Sequence, residues 1–132
     1  MLSGYVQSAY VEWDLGDSFP AVAKSIVSAS AGSRFRLFGI QFIPSSNPAA
    51  SDKAITRVQL FDGDPDDGGE SFFEDQLSQA NYTTTGFQNI AMLKILPHGV
   101  LATLNGDVYA RVSPSSPSDL NLSFVSLTYQ LG

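Results

Sequence analysis

Hydrophobic and polar residues alternate along most of this chain with a period of two, which is the spacing typical of β-strands. Apolar side chains recur at alternate positions in residues 4–13, and again in residues 120–131, where a change of phase predicts a β-bulge or a strand that passes from one sheet to the other. Residues that favour turns, such as Gly, Pro, Asn and Ser, separate these stretches. The pattern predicts about eight short strands and an all-β fold, an antiparallel β-sandwich of jelly-roll-like type, in a single domain spanning residues 1–132.

Residues 34–43 depart from this alternation because both phases are apolar. Phe35 and Leu37 occupy one phase, whereas Phe38, Ile40 and Phe42 occupy the other. A strand that is hydrophobic on both faces lies at the centre of a packed structure or is covered by another subunit. We therefore predict a protein–protein interface, with these candidate residues: Leu37, Phe38, Ile40, Phe42 and Trp13.

Local signals predict how some of the strands connect. Residues 34–43 and 54–61 are expected to form a hairpin with a long loop rich in Pro and Ser. Asn105 and Gly106 lie between two further strand patterns, and this pair favours a type I′ hairpin turn.

Local signals also indicate where one strand ends and which element can follow the acidic stretch. Pro97 to Gly99 are expected to end a buried strand over residues 87–96. Ser71 and Glu74 have the spacing of a helix capping box, so the residues that follow the acidic stretch fit either a short helix or a strand.

The charge of the chain is low and unevenly distributed. Only 15% of residues are charged, against roughly 25% in typical soluble domains. Residues 62–75 contain seven acidic and no basic residues, while the rest of the chain has six acidic and seven basic residues, so this segment accounts for the net charge of −6. An acidic protein is repelled by phosphate backbones, so we expect no direct contact with nucleic acid.

The acidic segment resembles the start of a calcium loop, but the likeness ends early. Asp62, Asp64 and Asp66 occupy positions 1, 3 and 5 of an EF-hand-like series. Position 6 is Asp67 instead of glycine, and position 12 is Phe73 instead of a bidentate carboxylate. We interpret the segment as a solvated surface loop, keep the first three aspartates as weak metal candidates, and predict no cofactor.

Catalytic and membrane signals are missing from the sequence. His98 is the single histidine, cysteine is absent and no Gly-x-Ser-x-Gly motif occurs, so we predict that the protein is not an enzyme. Neither a signal-peptide pattern nor a run of about eighteen apolar residues is present, which predicts a soluble protein made in the cytosol, with no membrane partner.

Several short motifs occur in an order that carries a family resemblance. They are SASAG at 28–32, RLFGI at 36–40, VQLFDG at 58–63, GVL at 99–101, NGDVY at 105–109 and LTY at 127–129. In these motifs the chain resembles small β-sandwich virion proteins of tailed bacteriophages, of the capsid decoration, auxiliary or head-fibre type.

The resemblance implies a non-enzymatic capsid decoration or cement protein that stabilises the shell. Its partners would be the major capsid protein or other virion proteins, and it would form a homo-oligomer such as a trimer. Its location would be the virion, assembled in the host cytoplasm. The alternative is a carbohydrate-binding module of a phage fibre or spike, in which Trp13 and exposed tyrosines stack on host sugars.

Overall fold

The computed structural model of the protein describes residues 5–13, 22–43, 55–78, 92–114 and 123–132. The strands in chain order are β1 (Gln7–Trp13), β2 (Lys24–Val27), β3 (Arg34–Ile43), β4 (Ile55–Asp62), β5 (Glu70–Ser78), β6 (Met92–Thr103), β7 (Val108–Pro114) and β8 (Ser123–Leu131). A 3₁₀ helix of one turn, Pro65–Asp67, joins β4 to β5. The all-β prediction is thus confirmed, and within the described ranges no helix is long and apolar enough to span a bilayer.

The strands form two four-stranded sheets in which neighbouring strands pair antiparallel. The first sheet has the order β1-β8-β3-β6, and the second has the order β2-β7-β4-β5. Apart from β4 and β5, consecutive strands lie in different sheets, so the chain crosses repeatedly from one layer to the other. This is the arrangement of a jelly roll, as the hydrophobic pattern predicts.

Both predicted hairpins are wrong. β3 and β4 lie in different sheets, and β4 instead forms a hairpin with β5 across the acidic connection. The Asn105-Gly106 pair joins β6 of the first sheet to β7 of the second, and Gly106 is not among the glycines with positive φ. The fully buried Leu104 lies just before it. Burial of this side chain between the layers accounts for a crossing at a site where local turn preference favours a hairpin.

Pro97 does not end a strand as predicted, but lies in a large irregularity within β6. Leu37 of β3 pairs with Val100 of β6, but the next pair is Gly39 with Ile95. One residue of β3 therefore faces four of β6, and β6 resumes its pairing after Gly99, which has a φ of 71°. The start of the predicted strand lies outside the described residues, and the ambiguous segment after the acidic stretch is a strand, β5.

The change of phase in the last strand marks neither a bulge of β8 against β1 nor a passage between sheets, since the described length of β8 lies in the first sheet. β8 pairs with β1 without a shift from Tyr129 to Ser123. The irregularity against β8 lies between Leu37 and Gly39 of β3 instead. Residues 120–122, where the earlier phase begins, lie outside the described part of the chain.

The core lies between the two sheets and includes aromatic contacts that join them. The ring of Phe35 on β3 stacks on Tyr129 of β8 with centroids 5.5 Å apart. The same ring meets the edge of Phe72 on β5, in the opposite sheet, at 5.7 Å. Each fully buried apolar side chain contributes roughly 1.5–3 kcal/mol to stability. The largest of them are Trp13, Phe35, Leu37, Ile40, Leu60, Leu104, Leu127, Val58, Val108 and Val112.

Candidate interaction surface

The five interface candidates fall into different environments in the structure. Trp13 and Leu37 are completely buried, and Ile40 is 1% exposed, all within the core of one subunit. Phe38 is half-buried, and the side chain of Phe42 lies outside the part that the structure describes. The interface role of this set remains a prediction, and Phe38 is the described member that reaches the surface.

The β-bulge in β3 explains why two apolar phases occur in one strand. Phe38 is the extra residue between the pairs made by Leu37 and Gly39. Insertion of one residue shifts the alternation, so that Leu37 and Ile40 point to the same face even though they belong to opposite phases in sequence. The apolar pattern that indicated a two-faced strand therefore arises largely from a bulge, which turns apolar side chains of both phases toward the same core.

The outer face of the first sheet nevertheless exposes apolar side chains next to Phe38. Ile95 is 68% exposed and Leu101 is 58% exposed, both on β6. Leu101 pairs with Arg36 of β3, and the Arg36 guanidinium lies 6.0 Å from the centre of the Phe38 ring. We call the surface formed by Arg36, Phe38, Ile95 and Leu101 the β3–β6 face.

Sequence reasoning did not single out Ile95 and Leu101 as surface residues. Both lie in near-continuous apolar stretches, which are typical of buried strands. Their exposure follows from the position of β6 at the edge of its sheet, a tertiary property. The signal that could have pointed to them is Pro97 between them, because proline within a strand pattern indicates an edge strand.

The outer face of the second sheet is different, since its polar groups bond to one another. Glu74 forms a salt bridge with Arg57 at 3.0 Å and accepts a hydrogen bond from Gln59 Nε2 at 3.1 Å. Arg111 donates from Nη2 to Gln59 Oε1 at 3.0 Å, and its guanidinium lies 4.8 Å from the centre of the Phe61 ring. Phe61 is consequently only 5% exposed. We call this surface the polar ladder.

Two carboxylates of the acidic connection between β4 and β5 accept hydrogen bonds from backbone N–H groups. Asp62 accepts hydrogen bonds from the backbone N–H groups of Asn105 at 2.9 Å and Gly106 at 3.2 Å. Asp64 caps the 3₁₀ helix by accepting from the N–H of Asp66 at 2.9 Å. Among the described residues, no three acidic, histidine or cysteine side chains are grouped as a metal ion requires. The three weak metal candidates are thus not brought together as one site.

The same end of the sandwich is held together by further bonds between its connections. Asp107 accepts from the N–H of Ala29 through Oδ1 at 2.9 Å and from the N–H of Gly63 through its carbonyl at 2.8 Å. These bonds join the connections after β2, β4 and β6. We call residues 62–70 the acidic tip, and its turn is held by hydrogen bonds to backbone N–H groups. Its last residue, Glu70, begins β5, which also carries Glu74 and Asp75.

The aromatic residues considered for sugar stacking divide by exposure. Trp13 is buried, and its Nε1 donates to the carbonyl of Val22 at 2.7 Å, so its ring is not available to a sugar. Tyr5 is 79% exposed and Tyr10 is 66% exposed. His98 is exposed within the irregular part of β6.

Comparison with known proteins shows a likeness of fold. No family model matches the sequence, and no curated protein matches it. A chain in the acid-stable capsid structure of Helicobacter pylori bacteriophage KHP30 is similar with a TM-score of 0.55 and 17% identity, over 100% of this chain and 90% of that chain. The protein therefore has the β-sandwich fold of a chain found in a bacteriophage capsid structure.

Two further structures are more distant. Dimeric latent PorU from Porphyromonas gingivalis has a TM-score of 0.45 and 16% identity, over 98% of this chain and 13% of that chain. Infectious bursal disease virus, Gt strain, has a TM-score of 0.40 and 11% identity, over 98% of this chain and 29% of that chain.

Proposed function

We propose that the protein is a structural component of a bacteriophage virion, and specifically a capsid decoration or cement protein that stabilises the shell through protein–protein contacts. The observation that carries the proposal is the fold likeness to a chain of a phage capsid structure over nearly the whole length of both chains. The motifs that resemble small phage virion proteins and the 15% charged composition agree with it.

The two outer faces of the sandwich support one orientation on the shell. The β3–β6 face exposes Ile95 and Leu101, and clustered apolar side chains of this kind are typical of binding surfaces. The polar ladder has its charges bonded internally and its aromatic ring covered. In the proposed orientation the β3–β6 face contacts the shell, while the polar ladder and the acidic tip face the solvent.

The test is co-sedimentation of the purified chain with shells that are prepared from its phage without this protein. We expect the wild-type protein to bind and to raise the temperature at which the shells open. Leu101→Lys adds one positive charge to the proposed contact and should weaken binding roughly tenfold or more, because a charge is buried against an apolar surface. Asp66→Asn makes the same change of charge at the acidic tip and should bind like the wild type. A wild-type protein that stays in the supernatant would refute the proposal.

A carbohydrate-binding module of a phage fibre or spike is the second candidate, and the exposure of Tyr5 and Tyr10 favours it. Aromatic faces in solvent can stack on sugar rings, although Trp13 cannot take part. Retention of the chain on a glycan array, lost in Tyr10→Ala, together with no binding to shells, would replace the decoration proposal by this one.

A further inference from the structure

The four edges of the two sheets differ in how they are protected against pairing with another strand. Natural edge strands are blunted by short length, lysine, proline, bulges or charges. β6 contains Pro97 and an irregular segment, and β2 has four residues, a register shift and Lys24. β5 has a register shift and carries three acidic residues, Glu70, Glu74 and Asp75.

β1 is the edge that lacks these devices. It has seven residues, contains neither proline nor lysine, and pairs with β8 without any shift. No other strand of the described residues lies on its far side. A regular edge of this length presents backbone donors and acceptors that another strand can use.

The exposed side chains on and beside β1 are a mixture of apolar and uncharged polar groups, with one charged residue on the strand itself. Tyr5, Val6 and Tyr10 are 79%, 56% and 66% exposed. The single charged residue of the strand is Glu12, near its end, where Lys24 Nζ donates to the Glu12 carbonyl at 2.8 Å. This contact covers the carboxyl end of the strand, so the part that can receive another strand is its amino-terminal and central portion.

We propose that β1 is a dimerisation edge, at which two copies of this chain pair their β1 strands antiparallel about a two-fold axis. The first sheets of the two subunits, four strands each, then form one continuous sheet. A two-fold pair uses the same strand on both subunits, which is the symmetry of most homodimers. The inference concerns the isolated chain and does not depend on the proposed function.

Charge favours a second copy as the occupant of this edge. With the axis near the middle of β1, Glu12 of one subunit faces the amino-terminal part of the other strand and not the other Glu12, so no like charges oppose each other. Self-pairing of β5 would instead bring its acidic residues together.

The acidic tips are also kept apart in this arrangement. The tip connects β4 to β5 at one side of the second sheet, whereas β1 contacts β2 at the other side. An antiparallel two-fold pair therefore places the two tips at opposite corners of the dimer. At that separation, well beyond the Debye length of about 8 Å at physiological salt, their repulsion is largely screened.

Sedimentation velocity of the full chain tests this proposal. We expect a monomer–dimer equilibrium in which Tyr10→Lys raises the dissociation constant roughly tenfold or more, because it places two lysines opposite each other near the two-fold axis. Leu101→Lys makes the same kind of change on β6, at the opposite edge of the same sheet, and should leave the equilibrium unchanged. Circular dichroism of each variant checks that it is folded.

Cross-linking gives a second measurement that does not rely on destabilising a variant. The chain contains no cysteine, so a disulfide formed by a single introduced cysteine must join two subunits. At least one of Ser8→Cys, Ala9→Cys and Tyr10→Cys should form a disulfide dimer on oxidation, since only cysteines near the axis come within bonding distance. Leu101→Cys should remain a monomer on a denaturing gel.

Three results would overturn the dimerisation edge. They are a wild-type monomer at concentrations up to about 100 µM, a trimer, or a dimer that Tyr10→Lys does not affect. If β1 instead binds a strand of another protein and the chain does not self-associate, sedimentation shows a monomer, which is the first of these results. A dimer that ignores shells would refute the decoration proposal and leave this one standing.

Discussion

Asp62 shows how the same residue type can indicate a metal ligand in sequence and serve as a structural acceptor in the fold. Its carboxylate accepts from the backbone N–H groups of Asn105 and Gly106, which lie 43 and 44 residues away in sequence. A hydrogen bond to a charged acceptor stabilises more than a neutral one. Asp62 thus joins the β4–β5 hairpin to the crossing between the sheets.

We expect Asp62→Ala to lower the free energy of unfolding by about 1–2 kcal/mol, because two backbone donors lose their acceptor. Asp67→Ala removes the same charge from an exposed position in the same connection and should change stability by less than about 0.5 kcal/mol. Urea denaturation followed by tryptophan fluorescence measures both. Equal effects of the two variants would mean that the bonds to the crossing contribute nothing.

Gly99 allows the irregular segment of β6 to rejoin its partner. Its φ is 71°, and a Cβ there would lie 2.6 Å from Cγ of Arg36. We expect Gly99→Ala to destabilise the fold by about 1–2 kcal/mol through backbone strain and this contact. Gly106→Ala should leave the stability nearly unchanged, because φ is not in the positive range there and nothing lies within 4 Å of the added Cβ. Thermal denaturation of the two variants measures both effects. A Gly99→Ala variant as stable as the wild type would contradict this account.

At the scale of the element, β3 contributes side chains both to the core and to the outer face of the first sheet. The bulge at Phe38 turns Leu37 and Ile40 to the same side, where both are buried. Phe38 itself lies on the outer face beside Arg36. A single inserted residue therefore separates the folding role of this strand from its proposed role in binding.

This separation predicts different consequences for neighbouring substitutions. Ile40→Ala should lower the free energy of unfolding by about 2–5 kcal/mol, because it leaves a cavity in the core. Phe38→Ala should lower it by only about 1 kcal/mol or less, since the ring is half-buried, and should weaken binding to shells instead. Denaturation and co-sedimentation of the two variants measure these effects. A stable Ile40→Ala variant would show that this position is not part of the core.

At the scale of the whole molecule, the first sheet exposes apolar side chains on the β3–β6 face, whereas the outer face of the second sheet carries polar side chains that bond to one another. The net charge of −6 derives from residues 62–75, which lie on β4, on β5 and in their connection in the second sheet, whereas the β3–β6 face belongs to the first sheet. The proposed contact therefore depends on apolar burial, whereas contact through the tip would depend on attraction to basic groups.

Salt distinguishes these two modes of attachment. Raising the salt concentration screens charges, so binding through the β3–β6 face should persist or strengthen between about 0.05 and 0.5 M salt. Binding through the acidic tip should weaken over the same range, and the double variant Asp66→Asn/Asp67→Asn should then abolish its salt dependence. Co-sedimentation at several salt concentrations provides the measurement. A steep loss of wild-type binding with salt would contradict the proposed orientation.

The sequence by itself determined that the chain forms short strands packed as an antiparallel sandwich, because alternation of apolar residues is a local property that any register preserves. It also indicated that residues 34–43 are central, and β3 does lie between β8 and β6. Only the tertiary structure decided which strands are neighbours. Pairing of β4 with β5, and the crossing at Asn105-Gly106, depend on which arrangement buries distant side chains such as Leu104 and Phe72 together.

The surface likewise could not be predicted from the pattern alone. Leu37, Ile40 and Leu101 all look apolar and strand-like in sequence, yet the first two are in the core and the third is 58% exposed. Their difference depends on a bulge that changes which face a residue occupies and on the position of β6 at a sheet edge. Both are properties of strand pairing across the fold, which is why the structure, and not the hydrophobic pattern, defines the face that we propose for binding.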